Sequence, residues 1–98
     1  MDPAERGALE IRDGVLRKLV SRLVDDAPET ARECGVRITG TVPEIDISVR
    51  LALRYPAPVR AAAEAVRERI VTEVGRVTGY TVRRLDMTVT ALVPRGEP

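Results

Sequence analysis

Apolar and polar positions along the chain alternate with two distinct periods, one helical and one extended, and the clearest example of each lies in the second half. From Pro56 to Thr78, Val59, Ala63, Val66, Ile70, Val74 and Val77 recur every three or four residues and mark one helical face. Arg60, Glu64, Arg67, Glu68, Glu73 and Arg76 fall mainly on the other side. Arg60 with Glu64 and Arg69 with Glu73 have the four-residue spacing of weak surface ion pairs. Pro58 suits the first turn, where its missing N–H removes a donor that would be orphaned anyway, and Gly79 suits the left-handed position that ends a helix. Beyond Gly79 the period becomes two, with Leu85, Met87, Val89, Ala91 and Val93 on one face and Arg84, Asp86, Thr88 and Thr90 on the other. Helix and strand are expected to bury their apolar sides together.

The first half carries the same two periods. Ala8 to Ile11 is expected as a short strand after a frayed tail over 1–7, and Asp13 as the N-cap of a helix striped by Val15, Leu16, Leu19, Val20, Leu23 and Val24. Pro28 breaks that helix, and residues 25–33 read as a polar connection. Val36 to Thr39 alternates, Gly40-Thr41-Val42-Pro43 is a turn, and the next strand sets Ile45, Ile47, Val49, Leu51, Leu53 and Tyr55 against Asp46, Ser48, Arg50, Ala52 and Arg54. A slip of one residue would bury two arginines and an aspartate, so this register is well determined. Residues 94–98 read as a disordered tail. The order (β)αββαβ predicts a single α+β domain over 8–93: a two-layer sandwich with both helices on one face of a three- or four-stranded, mainly antiparallel sheet. The opposite face would then show Arg37, Asp46, Ser48, Arg50, Arg54, Arg84, Asp86, Thr88 and Thr90.

Composition narrows the chemistry more than the architecture. Sixteen basic and fifteen acidic residues nearly cancel, so there is no net field to attract nucleic acid or an anionic membrane. Cys34 is the only cysteine, which rules out an internal disulfide, a cysteine metal cluster or a paired redox motif within one chain. Histidine is absent, and with it the usual general base, triad member and commonest zinc ligand. The charged opening Met1-Asp2-Pro3-Ala4-Glu5-Arg6 does not read as a signal peptide, and no apolar run approaches the roughly 20 residues of a membrane span.

From Tyr55 to Val93 the chain resembles the alkaline shock protein family, the small envelope stress response proteins of Gram-positive bacteria. The shared features are a long strand ending in an aromatic residue, Tyr55, a proline-containing lead-in at Pro56 and Pro58, and a helix with Val59, Val66, Ile70 and Val74. That helix closes in Thr78-Gly79-Tyr80, and a last strand runs through Val82, Leu85, Met87, Val89 and Val93. The first half is similar in layout, through Ile11, the first helix and Gly35-Val36. The resemblance implies a cytoplasmic protein that is not an enzyme, has no cofactor, self-assembles, and sits at the inner face of the cell membrane through a membrane-anchored partner.

Weighed residue by residue, Asp46, Ser48, Arg50, Arg54, Arg84, Asp86 and Thr88 form a candidate interaction surface, in which Arg50 and Arg84 with Asp46 and Asp86 would suit a self-complementary contact; the alternative is an ordinary solvated face. The element order is also that of ferredoxin-like ligand- or RNA-binding modules. Those that bind RNA stack bases on sheet aromatics, whereas this chain has only Tyr55 and Tyr80, both expected to pack, so no nucleic-acid partner is expected. Glu10 with Asp13, and Asp25 with Asp26 and Glu29, are acids that cap helices and solvate linkers more readily than they catalyse. Cys34 is expected to be a buried or half-buried filler rather than a reactive thiol.

Overall fold

The computed structural model describes residues 13–94. The elements are α1 (Asp13–Asp26), β1 (Thr30–Thr41), β2 (Glu44–Tyr55), α2 (Val59–Thr78) and β3 (Thr81–Pro94). The expected strand over 8–11 and the expected tails fall outside the described residues, except that β3 extends through Pro94. The three strands form one sheet in the order β1-β2-β3. β1 and β2 pair antiparallel through a tight turn at Val42 and Pro43, whereas β2 and β3 pair parallel because α2 carries the chain back across the sheet. The α+β class and the placement of both helices on one face match the sequence pattern, but the sheet is mixed rather than mainly antiparallel.

β2 organises the core because it is the central strand and alternates along its length, apart from Ala52. Ile45, Ile47, Val49, Leu51 and Leu53 are all buried, and they meet Leu16, Val20 and Val24 of α1 and Ala62, Val66, Ile70 and Val74 of α2. Each buried Val, Leu or Ile among them contributes about 1.5–3 kcal/mol relative to exposure. Leu85 completes the core from β3, with Met87, Val89 and Tyr80 packed at its margin.

Both ends of α2 are set by its sequence. Pro58 holds extended backbone as the N-cap and its carbonyl accepts the Ala62 N–H at 2.9 Å. Gly79 adopts φ 78°, and its N–H donates to the Gly75 carbonyl at 2.9 Å. Thr78 adds a local closure, donating from Oγ1 to the Val74 carbonyl and accepting from the Tyr80 N–H. Gly40, at φ 98°, is required for a different reason: a Cβ there would sit 3.0 Å from the Glu44 carbonyl oxygen across the hairpin.

Several expectations are corrected. Val15, Val59 and Val77 are more than one-third exposed, since the buried arcs are narrower than the apolar stripes and centre on Leu16–Val20–Val24 and Ala62–Val66–Ile70–Val74. Tyr55 is half exposed at the end of β2, where the strand runs past the helical layer, rather than packed. Arg60 and Arg69 form no ion pair with Glu64 and Glu73; the closer partners are one position short of a full four, Arg67 with Glu64 at 3.9 Å and Arg76 with Glu73 at 2.7 Å. The polar connection over 25–33 is mostly structured, because α1 continues to Asp26 and β1 starts at Thr30. Asp25 accepts the Glu33 N–H at 2.9 Å, and Glu33 accepts a hydrogen bond from Ser21, so α1 is tied to the first turn of β1.

Candidate interaction surface

Neither helix crosses the second face of the sheet. Asp46, Ser48, Arg50 and Arg54 project there from β2, and the register sets Arg84 opposite Asp46, Asp86 opposite Ser48 and Thr88 opposite Arg50 on β3. On β1, Thr39 lies opposite Asp46, Arg37 opposite Ser48 and Arg32 opposite Ala52. All seven residues of the expected surface therefore share one face, and Arg32, which sequence alone assigns to a linker, joins them. Pairing partners share a side of the sheet, so this assignment follows from register.

The half of the face nearest the hairpin is internally neutralised. The Arg83 guanidinium forms a two-pronged contact with Asp46, at 3.2 Å from Nε and 2.8 Å from Nη2. That hydrogen bond, with the charges of Arg83 and Arg84, holds the Asp46 carboxyl below its ordinary range. Arg84 donates to Asp86 at 3.1 Å along its own strand. Within one chain both aspartates of the expected set are thus paired, Asp46 with Arg83 and Asp86 with Arg84, and Arg50 takes no part in those pairs. Arg83 reaches Asp46 because the β3 register skips it, between Val82 opposite Ile45 and Arg84 opposite Asp46.

Two further bulges shape the middle of the face. The register skips Cys34 on β1 and Thr90 on β3, and these two extra residues meet across the sheet with Sγ and Oγ1 3.5 Å apart. Thr90 Oγ1 also donates to the Leu51 carbonyl at 3.3 Å. Beneath them Ala52 is fully buried, although its neighbours on the same face of β2, Arg50 and Arg54, are exposed. Cys34 is half-buried, a filler in a small polar bridge. The one sequence signal for this arrangement is alanine standing where a polar residue is due.

Along the outer edge of β3, Arg67 of α2 donates to the Leu85 carbonyl at 3.0 Å and occupies an acceptor that an added strand would use. Asp25, Asp26 and Glu29 do not converge into a site; Asp25 is engaged by the backbone of β1. Among the described residues no group of three or more Cys, Asp or Glu side chains is arranged to hold a metal ion, and no helix is long and apolar enough to cross a membrane.

No protein-family model and no curated protein sequence matches the chain. The fold is similar to two solved structures. One is the C-terminal domain of the magnetosome protein MamB from Desulfamplus magnetovallimortis BW-1, with TM-score 0.57 and 8% identity over 85% of this chain and 96% of that one. The other is CzrB, a candidate zinc transporter, with TM-score 0.50 and 14% identity over 98% of this chain and 99% of that one. At such identities the likeness concerns the fold alone.

Proposed function

We propose that the chain is a non-catalytic interaction domain of the alkaline shock protein type, serving cell-envelope stress response or homeostasis through self-association and a membrane-anchored partner, at the inner face of the membrane. The observation that carries this reading is the sheet face that neither helix covers: among the described residues, three strands present Arg, Asp, Ser and Thr there, with Ala52, Ala91 and Val93 between them. The residues through which the chain resembles the alkaline shock family form one continuous β-α-β unit, from β2 ending at Tyr55 through α2 to β3.

The zinc named for CzrB is not part of the proposal. This chain has no histidine and one cysteine, and that thiol is engaged with Thr90. Sedimentation velocity across a range of concentrations, with pull-down from the membrane fraction of the native host, tests the proposal. Oligomers that grow with concentration and one co-purifying membrane protein are expected; a strict monomer that captures nothing from the membrane fraction would overturn it.

A further inference from the structure

The half of the sheet face away from the hairpin differs from the neutralised half. Read along β2, Arg37 stands beside position 48, Arg50 at 50, Arg32 beside 52 and Arg54 at 54, so four arginines alternate between β1 and β2. Successive members are two residues apart along the strand axis, about 6.6 Å, and the row spans about 20 Å. All four are exposed, and none forms an ion pair among the described residues. Gly35, opposite Arg50, has no side chain, and the Arg50 guanidinium lies across it, 3.8 Å from where a Cβ would be. The guanidinium therefore rests on β1, in line with Arg37. The nearest carboxylate on β1, Glu33, pairs opposite Leu51 on the helix side of the sheet and is held by Ser21.

We infer that this arginine row is the docking surface for an extended acidic segment of a partner protein, with Asp or Glu at alternate positions. Side chains on one face of an extended chain repeat every two residues, the same step as the arginines, so each carboxylate meets one guanidinium. The match favours a peptide over nucleic acid, because the face carries no aromatic ring on which a base could stack. The inference deepens the proposed function by naming the chemistry of its partner, and it rests on that reading only for the partner being a membrane protein.

The test uses the full chain and a labelled peptide of about eight residues alternating Glu and Thr, followed by fluorescence anisotropy at low and high salt. A peptide of the same composition with its glutamates in one block, and a single-stranded RNA of similar length, serve as competitors. Salt-sensitive binding is expected for the alternating peptide, reduced about tenfold or more in Arg37→Gln/Arg50→Gln and within about twofold of the parent in Arg60→Gln, an exposed arginine of α2 away from the open sheet face. Thermal melts of the variants confirm that they remain folded. Absence of binding at low salt, equal loss in Arg60→Gln, equal affinity for the blocked peptide, or tighter binding of the RNA would each overturn the inference. Peptide binding without a membrane partner would sink the proposed function alone; a membrane partner retained by Arg37→Gln/Arg50→Gln would sink the inference alone.

Discussion

The two faces of the sheet are written by the same strand and obey different rules. On the helix side of β2, Ile45 to Leu53 are buried at every second position and each contributes through area removed from water. On the open side the same strand carries Asp46, Ser48, Arg50 and Arg54, where exposed ion pairs are worth little and what matters is which charges remain unpaired. Stability is thus concentrated on one face, leaving the other free to vary and to bind.

The largest expected effect separates the faces outright. Leu51→Ala removes a fully buried side chain from the centre of the core and should cost about 2–5 kcal/mol in chemical denaturation. Thr88→Ala, opposite Arg50 on the open face, should stay within about 0.5 kcal/mol of the parent. Gly79→Ala should cost about 1 kcal/mol, because its φ of 78° suits glycine and the C-cap hydrogen bond depends on it.

Thr30→Val sharpens the contrast from the other direction. Thr30 is buried at the start of β1 and its Oγ1 has no hydrogen-bond partner among the described residues, so an apolar group of the same shape should stabilise the fold by about 1 kcal/mol. A lower melting temperature would show that the hydroxyl is satisfied after all.

The smallest effect belongs to the open face. Asp46 has its carboxyl pKa lowered by Arg83, so the stability from this pair is present above the ordinary value of 3.8 and is lost as pH falls through the depressed folded value. Glu73 follows the same sign with Arg76 from an ordinary value of 4.5. The difference in melting temperature between the parent and Asp46→Asn should be constant near neutrality and shrink under acid; a difference that grows under acid would contradict the pairing.

β2, α2 and Gly79 were legible in the sequence because their periods are unbroken and their caps use residues with few other roles. The first half of β1 was not, since the extra residues Ala31 and Cys34 destroy the alternation that identifies a strand, and Arg32 was hidden with them. The parallel pairing of β3 depends on where α2 returns the chain, which no local pattern specifies. Most of the candidate surface could be read from strand parity in β2 and β3; its division into a neutralised half and an arginine row could not, because Arg83 reaches Asp46 only through a bulge. The exposed ends of the helical stripes, Val15, Val59 and Val77, show that apolar spacing marks a face without marking how far the opposing layer extends.

The most direct test of an interaction surface on the open face compares two charge reversals in one pull-down from the native membrane fraction. Arg50→Glu/Arg54→Glu changes the sheet face, and Glu68→Arg changes the exposed side of α2. The partner should be captured by the parent and by Glu68→Arg and lost from Arg50→Glu/Arg54→Glu; capture by the sheet variant with loss from the helix variant would show that the binding surface lies on the other side of the molecule.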